Sequence, residues 1–292
     1  MDQAEQLRNI VKLKNQLPIS TAKVYTITSG KGGVGKSNIA VNLAIELQKS
    51  GKRVIIFDAD FGLANVEVMF GSIPKYNLSD MIYRGKKINE IITTGPIGIG
   101  FISGGSGIAG VNNLNREQIS FLIHNLSELD TLADVILIDT GAGIADNVLD
   151  FVMASSEVLL VTTPEPSSLT DSYSLLKALH RKPGFKQEDT IIKVISNRVI
   201  SNEEGRVVFD KLNSVVGQFL NGNLEYLGMI PQDSALEKAV RQQQPVTILL
   251  PEARSSQAFQ TLADNLLAGT SYPFQPKRGI AQLFANFIYG RK

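Results

Sequence analysis

Seven short runs rich in β-branched residues recur along the 292-residue chain, and a stretch of helical periodicity follows each: KVYTITS (23–29), RVIIFD (53–58), IGIGFIS (97–103), DVILID (134–139), EVLLVTT (157–163), TIIKVIS (190–196) and EYLGMIP (225–231). Their apolar residues are continuous rather than alternating, so each strand is expected to be buried on both faces. Strands of that kind, separated by helices, specify an α/β fold: a doubly wound, mainly parallel sheet with helices on both faces. Ligands on such sheets bind beyond the carboxyl ends of the strands, so the residues that follow each run carry the functional information. At 43% hydrophobic, the chain has material for one large core.

Two segments stand outside this rhythm. Over residues 1–20, Ala4, Leu7, Ile10 and Val11 fall near helical spacing before Pro18 stops the pattern, which predicts a helical extension and linker. Residues 271–292 open with two prolines and then place Ile280, Leu283, Phe284, Phe287 and Ile288 at i, i+3, i+4, i+7 and i+8, an amphipathic helix. The α/β domain is expected between them, over 21–270.

Composition narrows the chemistry. The chain has no cysteine and two histidines, which removes disulfides, thiolate metal sites, iron–sulfur clusters and thiol nucleophiles. A formal net charge of +1 announces no field for nucleic acid, so no specific nucleic-acid partner is expected. The N-terminus lacks the apolar run of a secretory signal, and no segment approaches the ~20 apolar residues of a membrane span. A cytoplasmic protein is expected.

The segment SGKGGVGKS (29–37) follows the first strand and runs into a helix pattern, the context that G-x-x-x-x-G-K-S requires. Gly30, Gly32, Gly33 and Gly35 allow backbone amides to turn toward a phosphate, with Val34 and Asn38 completing the cradle. The helix start adds partial positive charge, Lys36 reaches the β- and γ-phosphates, and Ser37 is placed to ligate magnesium. A magnesium-bound triphosphate needs carboxylates opposite the loop. Asp139 ends the DVILID strand, as expected of the aspartate that holds magnesium through water. Asp58 and Asp60, two apart at another strand end, point the same way in extended chain. Asp60 is the candidate for positioning the attacking water, and Asp58 for supporting the magnesium shell. The glycine-rich ISGGSGIAG (102–110) lacks a following G-K-S and reads as a flexible rim.

Lys31, the DADFGLANVE box (58–67) and LIDTGAG (137–143) together resemble the deviant Walker A ATPases of the MinD/ParA family, over about Lys23 to Asn265. In that family two subunits clamp two ATP molecules face to face, and the resemblance implies that Lys31 crosses to the partner's phosphates, like an arginine finger supplied in trans. It implies ATP and ADP as ligands with Mg2+, an ATP-dependent homodimer, and adenine contacts by Asn197 and Arg198 of SNRV and by Pro231 and Asp233 of IPQD. For the tail, the absence of any acid over 271–292, with Lys277, Arg278, Arg291 and Lys292 flanking the stripe, favours an anionic membrane surface over core packing. One such helix binds weakly, and two on one ATP-held dimer bind by effective concentration. The expected location is therefore cytoplasmic, and peripheral on the inner face of the cell membrane in the ATP state. DQAEQLR (2–8) resembles the segment with which the flagellar-number branch of the family stimulates the GTPase FlhF, carried here by Gln3, Leu7 and Arg8. That branch further implies the flagellar switch proteins FliM and FliN/FliY as partners. Division-site ATPases, DNA-partition ATPases and P-loop enzymes that phosphorylate small molecules are the alternatives.

Overall fold

The computed structural model describes residues 22–60, 65–105, 116–269 and 279–289. Eight strands form one sheet: β1 (Lys23–Ser29), β2 (Val54–Ala59), β3 (Thr93–Thr94), β4 (Gly100–Ser103), β5 (Val135–Ala142), β6 (Glu157–Thr162), β7 (Ile191–Val199) and β8 (Glu225–Pro231). Their order is β3-β4-β2-β5-β1-β6-β7-β8, and every pairing is parallel except β3 with β4. All seven expected strands are present. The third starts late, because Pro96–Gly98 form a 3-10 turn in which Ile97 takes a φ of 49°. The two-residue β3 has no signal of its own in the sequence, being too short to show a period.

Among the described residues, twelve helices cover the sheet. They are α1 (Lys36–Lys49), α2 (Asn65–Phe70), α3 (Leu78–Arg84), α4 (Ile88–Ile91), α5 (Arg116–Leu132), α6 (Asp146–Ala154), α7 (Pro166–Arg181), α8 (Asn202–Leu220), α9 (Ser234–Arg241), α10 (Val246–Leu249), α11 (Arg254–Ala268) and α12 (Ile280–Tyr289). Alternate residues of each strand feed opposite layers, as the pleat requires. Tyr25, Ile27, Ile56 and Leu137 pack with α1, α2 and α9–α11 on one face. Val24, Ile55, Phe57, Ile136 and Ile138 pack with α3–α6 and α12 on the other, where a neighbouring cluster joins β6 and β7 to α6–α8. Local chemistry fixes several helix starts. Asn77 caps α3 in a reciprocal capping box with Asp80, and the left-handed Gly35 (φ 98°) admits the chain into α1.

The C-terminal stripe packs inward in this structure. Ile280, Leu283, Phe284, Phe287 and Ile288 are at most 4% exposed and face the protein core, not a solvent or membrane surface. The Phe284 ring meets the edges of Phe57 (5.1 Å) and Phe151 (5.6 Å), and Phe287 stacks on Phe151 at 4.1 Å. The physical reason is that an apolar stripe with two phenylalanines satisfies an aromatic-lined groove between α5 and α6 as well as it would satisfy lipid. Lys277, Arg278, Arg291 and Lys292, like Gln3, Leu7, Arg8 and the rest of the extension, lie outside the described residues.

Candidate nucleotide site

β1 lies at the centre of the sheet between β5 and β6, where the strand order reverses, and the loop that leaves it holds Gly30–Ser37 at the carboxyl edge. The loop is clamped from three sides. The Gly143 amide donates to the Ser29 carbonyl at 2.9 Å, and the Ser29 hydroxyl donates to the Lys31 carbonyl at 2.8 Å. Gly30 lies against the backbone of α7, where a Cβ would come within 2.1 Å of the Asp171 carbonyl group, so only glycine fits. Lys36, the first residue of α1, is 8% exposed.

The three predicted acids converge beside this loop. Asp58 on β2 and Asp139 on β5 are in register on adjacent parallel strands, and Asp139 is also level with Ile27 of β1. Asp58 accepts from the Asp60 amide (3.1 Å) and the Val66 amide (3.3 Å). Burial first, and the Asp139 charge second, push the Asp58 carboxyl up to about 8 against the pull of those amides. Burial likewise pushes Asp139 up to about 6, with the Ser37 hydroxyl and the Lys36 ammonium pulling the other way. Both Asp139 carboxylate oxygens are buried with no partner in hydrogen-bonding geometry. Two carboxyls held next to a phosphate loop at raised pKa, one with orphaned oxygens, fit a divalent cation, whose charge would reverse both shifts. Asp60 Oδ2 accepts from the Asn65 side-chain Nδ2 at 3.2 Å, and its Oδ1 faces Gly141 at the end of β5.

A cleft of about 670 Å³ opens beside the loop, lined by Gly35, Asn38, Asn197, Arg198, Pro231 and Asp233 together with Ile200, Leu236 and Val240. The expected adenine-side residues therefore share one wall, but their polar groups are engaged with the protein. The Asn197 side-chain Nδ2 donates to the Val34 carbonyl at 2.7 Å, and the guanidinium of Arg198, a residue at φ 58°, donates to the Gly33 carbonyl at 2.8 Å. Both thereby brace the phosphate loop. Asp233 caps α9 through the Ala235 amide (2.9 Å) and accepts from the Ser255 amide and hydroxyl (2.9 and 2.8 Å). Burial pushes its carboxyl up, and these bonds outweigh burial and hold it below the ordinary range.

Lys31 has a partner that the sequence reading did not single out. Its ammonium donates to Glu165 Oε2 at 2.9 Å and to Ser167 Oγ at 2.8 Å, at the start of α7. The signal was PEPSSL at the end of the EVLLVTT run, a strand end with proline at the first helical turn.

Comparison with known proteins agrees with this geometry. The ParA family profile, described as NUBPL iron-transfer P-loop NTPase, matches residues 20–267. The antiactivator FleN of Pseudomonas aeruginosa is 40% identical over 254 residues, which cover 87% of this chain and 89% of FleN. The flagellum site-determining protein YlxH of Helicobacter pylori is 35% identical over 295 residues, covering 98% of both chains. The MinC:MinD cell division protein complex of Aquifex aeolicus contains a similar fold, with a TM-score of 0.68 and 25% identity over 87% of this chain and 99% of that one. A glycine loop at the central strand end, two register-matched aspartates and these relatives lead to one conclusion: the chain belongs to the ParA/MinD family of P-loop nucleoside triphosphatases, which bind nucleotide and hydrolyse ATP.

Proposed function

We propose that this chain is a flagellar-number regulator of the FlhG (YlxH) type, an ATPase that dimerises with ATP, attaches to anionic membrane through α12 and releases on hydrolysis. The observation that carries the flagellar assignment is the match to the flagellum site-determining protein over 98% of both chains, which takes in the N-terminal extension and the tail as well as the ATPase domain. FlhF, FliM and FliN/FliY are the partners this reading assigns, with Gln3, Leu7 and Arg8 acting on the GTPase FlhF.

In the reaction, Gly30, Gly32, Gly33 and Gly35 cradle the phosphates and Lys36 neutralises charge that develops toward the leaving group. Ser37 and Asp139 would hold Mg2+, with Asp58 behind them, and the ion would supply charge neutralisation beside the phosphate loop. Asp60 orients the attacking water. Lys31 leaves Glu165 and Ser167 and reaches the partner's triphosphate, so pairing of subunits and hydrolysis are one event. The exposed placement of that lysine at the rim of the loop supports the reading, since its side chain is 37% accessible.

Vesicle cosedimentation tests the cycle. The intact chain should pellet with anionic vesicles in ATP and stay in solution in ADP, Asp60→Ala should remain pelleted in ATP, and a chain ending at Gln275 should not pellet. Equal pelleting of the intact chain with both nucleotides defeats the switch. A GTPase assay with FlhF and a peptide of residues 1–17 tests the flagellar branch, and absence of stimulation returns the chain to the division-site reading.

A further inference from the structure

The sheet ends differently at its two sides. One side stops at the two-residue β3, whereas β8 at the other is seven residues long and pairs only with β7. Every second residue of an edge strand turns its N–H and C=O away from its single neighbour, and proteins usually keep such edges short or covered. β8 is neither. All of its residues except Ile230 line an open groove of about 700 Å³, with α8 along one wall and α11 along the other.

Both walls present unspent cations. Arg206 of α8 lays its guanidinium over the Tyr226 ring at 4.2 Å, and Arg254 is the first residue of α11. Both are exposed, and neither takes part in an ion pair among the described residues. Asp210, one turn along α8, lies outside the groove, and Asp233 near Arg254 spends its oxygens on Ala235 and Ser255. Lys193, at the far end, is already paired with Glu157 at 2.7 Å, and Glu225 is the one acid among the described lining residues. Gln257, Thr261 and Asn265 continue from Arg254 along the exposed face of α11, and Asn265 Nδ2 donates to the Leu227 carbonyl at 2.9 Å. Side chains of this wall can therefore satisfy main-chain groups at the edge.

The shape of the edge selects its guest. β8 carries one extra residue, Leu227, opposite the Val194–Ile195 step, and Gly228 follows at a φ of 150°, where a Cβ would come within 2.7 Å of Leu262. Such a bulge blunts an edge against open-ended pairing with copies of itself, and a second β8 would offer the arginines only Glu225. α8 and α11 cover opposite faces of the sheet, so guest side chains that meet Arg206 and Arg254 must lie an odd number of residues apart. We propose that the β8 edge is a docking site for an extended acidic segment of a partner protein, which adds to the sheet as a ninth strand with one carboxylate for Arg206 and one for Arg254. Main-chain bonds to β8 supply affinity, and the two guanidinium groups supply selectivity. The site depends on neither the flagellar nor the membrane reading.

The test uses the full chain and fluorescein-labelled peptides Glu-Val-Thr-Val-Thr-Glu and Gln-Val-Thr-Val-Thr-Gln, blocked at both ends. Fluorescence anisotropy should show the glutamate peptide binding about tenfold more tightly than the glutamine peptide, roughly threefold for each exposed charge contact. Arg206→Gln/Arg254→Gln should erase that preference, and Arg206→Glu/Arg254→Glu should transfer it to the peptide with lysine at both ends. Both arginines are exposed, so the variants keep the fold. N-methylation of alternate peptide amides should abolish binding for one set and spare it for the other, because an added strand turns only every second residue toward its neighbour. Hydrogen exchange over residues 225–231 should slow with the glutamate peptide bound. Equal binding of the glutamate and glutamine peptides, or binding that survives both methylated sets, overturns the proposal. Short duplex DNA that displaces the glutamate peptide and fails to bind the Arg206→Gln/Arg254→Gln chain overturns it in favour of nucleic acid.

Discussion

The phosphate loop and α12 bind by opposite means. The loop acts through its own backbone: the turn, the amides and the helix start all lie within residues 30–37, so the ligand is written into the segment. α12 acts through a face, and a face of Ile, Leu and Phe is equally content on a protein groove or in hydrocarbon. The loop has one class of ligand; the helix has a choice, and the choice is set by Phe57 and Phe151, which lie far from it in the chain. A site built from backbone fixes chemistry, while one built from an apolar stripe can serve as a switch.

Damage at the two places should separate accordingly. Phe151→Ala removes the ring that both Phe284 and Phe287 touch, and a buried phenylalanine lost in this way costs about 3–5 kcal/mol. Chemical denaturation should show that loss while nucleotide affinity stays within about twofold, because Phe151 lies on α6 away from the loop. Gly30→Ala should do the reverse. The new Cβ would sit 2.1 Å from the Asp171 carbonyl group, so the loop must move, and a displacement of about 1 Å at a reacting centre lowers turnover by about 100-fold. Phosphate release measured beside the melting temperature checks it. A Gly30→Ala chain with normal turnover would erase the contrast between the two regions.

The same contrast decides what the sequence reveals. Lys36, Ser37, Asp58, Asp60 and Asp139 can be located from strand ends alone, because a parallel sheet delivers every strand terminus to one edge. Asn197 and Arg198 are placed on the cleft wall by the same logic, yet their hydrogen bonds run to Val34 and Gly33. Location follows from topology, whereas the use of a side chain follows from neighbours that topology brings together. Glu165 and Ser167 escape notice for that reason, since no local pattern ties residue 31 to residues 165 and 167. The direction of the α12 stripe is illegible on the same ground.

A smaller effect comes from the carboxyl pair. An ordinary aspartate titrates near 3.8, and burial with the Asp139 charge raises Asp58 to about 8. Below pH ~4 Asp58 is protonated whether folded or unfolded and the arrangement costs nothing. As pH rises toward 8 the unfolded chain loses the proton while the folded chain keeps it, so stability falls across that window. Asp139, raised to about 6, adds to the decline between 4 and 6. Asparagine can accept only one of the two amide bonds, so Asp58→Asn should lower stability at pH 4 by about 1 kcal/mol. Its effect should become more favourable by about 2–4 kcal/mol between pH 4 and pH 8.5, a figure below the full shift because the surroundings of the carboxyl relax. Thermal unfolding at the two pH values, without nucleotide, reads the difference. A change of the same size at both pH values would mean that Asp58 titrates alike in the folded and the unfolded chain.

The smallest effect belongs to the contact that joins loop and helix layer, Lys31 with Glu165. Both side chains are accessible, at 37% and 55%, so the pair is screened and Glu165→Gln should leave the melting temperature unaltered. The Lys31 ammonium beside it holds the Glu165 carboxyl below its usual range, so at neutral pH the charge on Glu165 is present and restrains the lysine. On the dimer proposed above, removing that charge frees Lys31 for the partner subunit while Ser167 still orients it. Turnover at low protein concentration should therefore rise by about two- to threefold near 0.02 M salt, where the Debye length exceeds the contact distance several times over, and the gain should fade near 0.5 M. Steady-state phosphate release across that salt range checks the expectation. A loss of tenfold or more in turnover at every salt concentration would instead assign Glu165 to the reaction itself, and the loop would then depend, as α12 does, on a residue remote in the chain.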